Sequence, residues 1–387
     1  MTRYRVAGGV SWPVLETDWR AVLASKQWAV QMLARSRMVA GRVEVLASDG
    51  ISLGDASLDS ATVTMTGGGS EMWAASLSGS DPDWLPVDET DALDPRSGNR
   101  VRVWWQELVT ALGGWVEVPV CTGWPHNPEA DDDGAVSWSL VLRDSLTEAK
   151  RGGYGGSVVE VGGFTVDAAL RALFDAVSPL LACSFPPSTV TLPATYTLGE
   201  GKPEDDWTEI AALAGWLVWT DREGTIAAGP VVAALSLDWQ EGEACRITGA
   251  SRSVATTDIA NRVIVVSTSS DVVPTITSTA EDDDPASATW VGRYGPYEVT
   301  VESDAVASQE AADNLAATEL AARLLPVETV TVKATPRPDL GYGDIVNLSR
   351  ARIGVSGAYA VASTRLTLPG AGAPEQMEIT MQSRSVQ

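Results

Sequence analysis

Between residues 327 and 383 the chain alternates apolar and polar residues with a period of two, and this pattern leaves few folds open. In Glu328-Thr329-Val330-Thr331-Val332-Lys333-Ala334, the residues Val330, Val332 and Ala334 fall on one side, and Thr329, Thr331 and Lys333 fall on the other. Successive side chains of an extended strand point to opposite faces, so this run is a strand with one face buried. Turn-formers follow, Pro336-Arg337-Pro338 and Leu340-Gly341-Tyr342-Gly343-Asp344, then Ile345-Val346. Two more extended runs complete the segment, Gly357-Ala358-Tyr359-Ala360-Val361 and Met377-Glu378-Ile379-Thr380-Met381. Short half-buried strands in series predict a closed or sandwiched sheet. The segment reads as a wall, and nothing in it looks like chemistry.

The same period governs residues 41–145. Ala61-Thr62-Val63-Thr64-Met65-Thr66, Arg100-Val101-Arg102-Val103 and Trp115-Val116-Glu117-Val118-Pro119-Val120 all alternate, as do Val136, Trp138, Leu140 and Leu142 with their neighbours. Turn-rich loops separate them at 67–70, 81–83, 94–99 and 127–134, the spacing of a barrel or sandwich. Before them, residues 18–37 have the pattern of a helix with Trp19, Val22, Leu23, Val30 and Leu33 on one face. The glycine-rich run 151–157 breaks the strand pattern and marks a boundary. After it, Thr165 can cap a helix carrying Leu170, Leu173, Phe174 and Val177. A second helix is expected from Asp206, with Glu209 as a capping-box partner. The runs 217–220 and 225–227, joined by Asp221-Arg222-Glu223-Gly224, read as a hairpin. Strands resume near Cys245, with 261–266 the clearest, and Ser308 to Leu325 is the best helix, with Ala311, Leu315, Ala322 and Leu325 on one face and Pro326 as its stop.

The expected fold class is therefore α+β, mainly β, with two tube-like β-barrel domains and an intervening small α+β domain. The expected divisions are an N-terminal arm at 1–40, a first barrel at 41–150, an α+β insert at 160–235, and a second barrel at 245–387 that carries the helix 308–325.

Composition narrows the function. The 387 residues include 27 basic and 51 acidic ones, a formal net charge of −24, which repels nucleic acid and anionic membranes. Cys121, Cys183 and Cys245 are few and far apart, so buried thiols in a reducing compartment are expected, without a disulfide framework or structural zinc. The start, Met1-Thr2-Arg3-Tyr4-Arg5, leads into no apolar run of signal-peptide length, and no apolar stretch suits a membrane span. The expectation is a protein made in the cytosol, with no membrane span.

Candidate chemistry is weak throughout. Glu129-Ala130-Asp131-Asp132-Asp133-Gly134 begins like a calcium loop, but position twelve is Leu140, where a bidentate glutamate is needed. A solvated hairpin loop is the better reading. Gly152 to Gly156 has no following Lys-Ser or Lys-Thr, so it is a connector and no phosphate loop. The only histidine, His126, sits in Gly123-Trp124-Pro125-His126-Asn127-Pro128 and reads as a surface turn residue; no Gly-x-Ser-x-Gly elbow exists. With 51 acids, close carboxylate pairs for glycoside cleavage are unavoidable, and nothing singles out two of them. The fifteen tryptophans raise the idea of sugar stacking. Trp138 lies in the apolar half of its strand, and Trp207, Trp216 and Trp219 lie in the α+β unit, so core or subunit packing is favoured. No catalytic, cofactor-binding or metal-binding residue is assigned, and no cofactor is expected.

The order of these pieces resembles the tail hub proteins of bacteriophages, the baseplate hub family that also occurs in contractile injection systems and at the N-termini of tail-associated lysins. The resemblance is carried by Trp84-Leu85-Pro86-Val87 and Leu93 to Val103, leading to Trp138 through Asp144. It continues through Asp206 to Gly224 with Ala228-Gly229-Pro230, through Asp258 to Val263 with the Ser308 helix, and through Gly343 to Val346 with Gly357 to Val361. It implies a non-enzymatic virion protein at the tail tip. Two tube-like barrels per chain would let a homotrimer form a ring of six, closing the tail tube and adapting it to spike or fibres. Its implied partners are the tail tube or distal tail protein ring, the tape measure protein and spike or fibre proteins, with DNA passing through the lumen unbound. The chain ends at Gln387, soon after its last strand, unlike the lysin-bearing members, which weakens any lytic expectation. The alternatives are a receptor- or carbohydrate-binding tail protein, a distal tail protein and a cell-wall glycosidase.

Overall fold

The computed structural model describes residues 3–383, apart from 8, 16–17, 24–36, 68–70, 133–134, 155–157, 193–195, 200–201, 231–235, 240–246, 256–258, 268–274, 288, 304–308, 325–326 and 369–375. Cys245, Gly155 and Gly156, and Val30 and Leu33 of the expected first helix lie outside the described residues. Of that helix, Trp19–Leu23 is described, with Val22 buried.

The protein is mainly β; apart from Trp19–Leu23, which packs on the large core, its described α-helices fall in two smaller units. Thirteen strands join in one sheet system. Its path runs Ile247–Ala255, Val327–Ala334, Gln376–Ser383, Val355–Leu368, Ser60–Thr66, Trp73–Gly79, Val136–Arg143, Gly114–Asp132, Arg100–Val109, Val39–Leu46, Ser52–Ala56. Ser236–Trp239 pairs in parallel with Ile345–Arg350, which joins the path at Val355–Leu368. No closed barrel is traced among the described residues.

The alternation noted in the sequence is what buries this system. Val330 and Val332 of one strand, Val63 and Met65 of another, and Trp138, Leu140 and Leu142 of a third are each at most 2% exposed, and they meet in one core with Trp105, Leu366 and Ile379. This core draws on both halves of the chain. The seam is an antiparallel ladder running from Thr66 opposite Ser363 to Ala61 opposite Leu368.

Two long strands turn the corners. Gly114–Asp132 pairs with Arg100–Val109 along its first part and with Val136–Arg143 along its second. The change falls at Gly123, where a Cβ would lie 2.4 Å from the Arg143 carbonyl oxygen, so only glycine allows so close a backbone approach. Val355–Leu368 does the same in the other half. Its first part pairs with Ile345–Arg350, its second part pairs with Ser60–Thr66, and a bulge near Ala362 lies between them. Each long strand is entered from a strand ending in one turn of 3-10 helix, Thr110–Leu112 or Ala351–Ile353. Each turn is closed by a left-handed glycine, Gly113 or Gly354. The two halves thus repeat one motif.

The expected loop at 127–134 is in large part strand. Gly114–Asp132 continues through it, with a bulge between His126 and Glu129 that holds Asn127 at φ 45°. The flanking prolines are compatible with this: the bulge takes Pro128 out of the register, while Pro125 keeps its place opposite Leu142. His126 is therefore a half-buried strand residue and not a surface turn residue.

Residues 146–228 form their own core. The helix Val166–Val177 buries Leu170, Leu173 and Phe174, and Phe174 stacks on Trp207 at a ring separation of 5.4 Å. The second helix begins three residues before the expected start, at Pro203. Proline suits the first turn of a helix because its missing N–H is not needed there, and Glu204, Asp205 and Asp206 oppose the positive end. The hairpin forms as read, Leu217–Thr220 with Ile226–Gly229.

The strand Arg262–Ser267 lies outside the large sheet. It is the centre of a three-stranded sheet with Thr277–Glu281 and Glu298–Ser303, covered by the helix Gln309–Arg323. The helix packs through Ala312, Ala316 and Leu320, with Leu315 beside them. Of the expected face, the side chains of Ala311 and Ala322, and Leu325, lie outside the described residues. No helix among the described residues is long and apolar enough to cross a membrane.

Candidate functional site

Polar side chains with defined partners concentrate where the two halves and the α+β insert meet. The hairpin tip 221–225 is built by Asp221, whose carboxylate accepts from the Glu223 and Thr225 amides at 2.9 Å, with Gly224 in the left-handed region. Burial pushes the Asp221 carboxyl up, against those two bonds.

Three neighbours accept this tip. Trp73 donates to the Thr220 carbonyl at 2.8 Å, Thr122 donates to the Arg222 carbonyl at 2.9 Å, and Ser145 donates to the Gly224 carbonyl at 2.6 Å. Arg222 itself reaches across to the second half and donates to the Leu340 carbonyl at 3.1 Å. Burial lowers its pKa, and the charges of Asp339 and Asp344 oppose that. Beside it, Arg337 grips Asp339 through two bonds of 2.6 and 2.9 Å. Burial pushes the Asp339 carboxyl up, but the Arg337 bonds and charge outweigh it, so the group titrates below the ordinary carboxylate range. A cavity of about 10 Å³, room for about one water, lies between Trp73, Val120, Arg337 and Leu366.

Asp144 fixes the start of the insert. It is fully buried, caps the helix Ser145–Gly152 through Thr147, and accepts from the Met72 and Trp73 amides at 2.6 and 3.2 Å. Burial raises its carboxyl, and these bonds oppose the rise. On the opposite side of the seam, the Arg37 and Glu107 side chains are 2% and 0% exposed. Arg37 donates to Glu107 and to the Pro336 carbonyl at 2.8 Å, while Trp105 donates to Glu107 at 3.2 Å. Arg37 with Glu107 and Arg337 with Asp339 are ion-paired, whereas Asp221, Asp144 and Arg222 bond chiefly to backbone, and together they tie the insert and the two halves at one joint.

The residues weighed for chemistry are dispersed. His126 faces Glu148 and Arg151, tying its strand to the first helix of the insert. Glu129 to Asp132 lie in the strand; Asp133 and Gly134 lie outside the described residues; Leu140 is buried, so it takes no part in a calcium loop. Gly152 ends its helix, and Gly153 follows at φ 58°. No group of three or more His, Cys, Asp or Glu side chains suited to a metal occurs among the described residues. Trp138 and Trp207 are core residues, whereas Trp216 and Trp219 are half-buried. Cys121 is buried and its thiol is pushed up to about 12; burial pushes the Cys183 thiol to about 12 as well. The joint itself has little signal in the sequence: Asp144 caps its own helix through Thr147, but its bonds to Met72 and Trp73, and the partners of Arg222 and Arg37, come only through long-range pairing.

Among the described residues the sheet path ends at two edge strands, Ser52–Ala56 and Ile247–Ala255, and its side branch at a third, Ser236–Trp239. Leu53 on the first and Val254 on the second are exposed apolar residues, and Ile51 stands just before the first edge.

No family model matches the chain, and no curated protein matches it. Solved structures do. A tail protein from Neisseria meningitidis MC58 superposes with a TM-score of 0.62 at 17% identity, over 90% of this chain and 98% of that one. The 43 kDa tail protein of prophage MuSo2 from Shewanella oneidensis gives 0.62 at 13% identity, over 89% and 98%. A chain of the Francisella PdpA–VgrG complex gives 0.55 at 6% identity, over 95% of this chain and 62% of that one. At such identities fold is what is shared, and the fold of this chain is that of phage tail proteins.

Proposed function

We propose that the protein is a structural, non-enzymatic hub at the distal tip of a phage tail. In this reading a homotrimer closes the tail tube and adapts it to a spike or fibres. The observation that carries it is the internal repeat: a strand, a 3-10 turn closed by a left-handed glycine, and a long corner strand occur at 100–132 and again at 345–368. Two similar units per chain let three chains present six similar faces, which is how a three-fold spike can meet a six-fold tube. The units would be two tube-like barrels, at 41–150 and 245–387, with 160–235 as a lateral insert and 1–40 as an arm. Among the described residues, the edge strands Ser52–Ala56 and Ile247–Ala255 supply unpaired backbone groups at both ends of the path, suited to a head-to-tail contact that closes into a ring. The likeness to two tail proteins over nearly their whole length supports the tail assignment. The likeness to a chain of a PdpA–VgrG complex supports a partner of spike type.

The net charge of −24 gives such a ring a use. A lumen rich in carboxylates lets DNA and the tape measure protein pass without gripping phosphate. The remaining partners would be the tail tube or a distal tail protein ring. Mass photometry of the purified protein and cryo-electron microscopy of the virion tip test the proposal. The expected result is a trimer with density at the tail tip. A strictly monomeric chain that is absent from the tail would refute it, and cell-wall clearing by the isolated chain in a zymogram would refute its non-enzymatic part.

A further inference from the structure

The described residues from 259 onward expose two large apolar or aromatic side chains, Tyr294 at 61% and Tyr297 at 57%. They are neighbours, with ring centroids 6.4 Å apart and planes at 66°, so together they form an L-shaped seat. The loop beneath them is rigid. Asn261, 1% exposed, donates to the Thr289 and Gly295 carbonyls at 2.8 and 2.9 Å and accepts from the Tyr297 amide at 2.7 Å. Asp282 accepts from Ser287 and Thr289 at 2.5 and 2.7 Å, and its carbonyl accepts from the Val291 amide. The Trp290 ring lies against Gly292, where a Cβ would come within 2.3 Å of it. Two buried polar residues thus spend all these bonds on a short loop whose exposed product is a pair of aromatic rings.

We infer that Tyr294 and Tyr297 form a stacking site for one pyranose unit of a neutral polysaccharide. The patch is small enough to favour a small ligand: of its chain neighbours among the described residues, Gly292, Arg293, Pro296 and Glu298 are exposed, and the apolar Trp290 and Val291 are half-buried. A pyranose matches in area and chemistry, since its C–H face stacks on one ring while its rim hydroxyls meet polar groups. Glu298, next to Tyr297 in the chain, is such a group: it and Glu281 face Arg262 at 3.8 and 2.7 Å, and both acidic side chains are nearly half exposed, so they can accept from hydroxyls. The net charge of −24 disfavours acidic glycans and nucleic acids, which selects a neutral ligand. Binding preorganised on a locked loop loses little entropy. A single site of this size has a Kd in the millimolar range. The three copies of a trimer would add avidity.

The test uses the full chain and a panel of neutral oligosaccharides, chitohexaose, maltohexaose and a galactohexaose, read by saturation-transfer NMR and titration calorimetry. The expected result is transfer to protons of one pyranose face for at least one member, weakened about tenfold in each of Tyr294→Ala and Tyr297→Ala. Both side chains are exposed, so circular dichroism and oligomer mass should stay unchanged. Asn261→Ala should weaken binding while leaving both rings present, with rescue by Asn261→Asp limited to the Tyr297 contact. Three outcomes overturn the inference: no transfer to any panel member, binding unaffected in the double tyrosine variant, or loss of the oligomer in that variant, which would make the pair a protein contact.

Discussion

Removing Glu107 tests the seam directly. In Glu107→Ala the Arg37 guanidinium, 2% exposed and 5.7 Å from the Trp105 ring centroid, keeps the Pro336 carbonyl as its partner among the described residues. Breaking one side of a buried ion pair costs about 3–5 kcal/mol, because a charge is left without compensation. At about 2–4 °C per kcal/mol for a domain of 150–250 residues, the melting temperature should fall by about 6–20 °C. Arg37→Met with Glu107→Leu removes both charges and keeps the volume, so it should recover part of that loss, less the cost of the bonds that Trp105 and the Pro336 carbonyl give up. Urea unfolding followed by tryptophan fluorescence measures all three proteins. A loss under about 1 kcal/mol in Glu107→Ala would mean the pair is solvated, in the range of surface pairs. A double variant no better than Glu107→Ala would show that packing, not charge, decides the site.

Three further outcomes follow from other sites. Gly123→Ala puts a Cβ 2.4 Å from the Arg143 carbonyl and should destabilise by about 1–3 kcal/mol; unchanged urea stability would show that the corner can shift. Cys121 is buried with its thiol pushed up to about 12, so Ellman's reagent should leave it unmodified until the protein is denatured, and modification of the native protein at the rate of a free thiol would refute the packing. The Asp339 carboxyl is held low when folded, so its stabilisation is present above its unfolded pKa of about 3.9 and is lost as pH falls through the folded value. Asp339→Asn should therefore be less stable at neutral pH and show a shallower loss below about pH 4; identical acid slopes would remove Asp339 from the account.

Much of the wall was legible because alternation is a local signal. Val330 with Val332, Val63 with Met65, and Trp138 with Leu140 and Leu142 all point inward as their period requires. Partner choice is not local, and so the pattern at 261–266 gave a strand without revealing that it belongs to a separate sheet under a helix. Pro125-His126-Asn127-Pro128 reads as a turn because two prolines suggest interrupted pairing, yet Pro125 keeps its place opposite Leu142 and a bulge takes up Asn127 and Pro128 inside the strand. Asp206 and Glu209 have capping-box spacing, but Pro203 offers an earlier start with three acids in the first turn, and the helix takes it. The aromatic seat was hidden for a different reason. Fifteen tryptophans drew the stacking argument, while exposure went to two tyrosines whose surroundings depend on Asn261 and Asp282, far from them in sequence.

The strand Val355–Leu368 belongs to both halves of the molecule at once. A load applied to either half therefore reaches the other by shearing a ladder of backbone bonds, the direction in which such ladders yield together and not one at a time. Calorimetry should accordingly show the two halves melting in one transition. If the chain serves as the proposed hub, force on one half would pass to the other through this shared strand and not through a flexible linker.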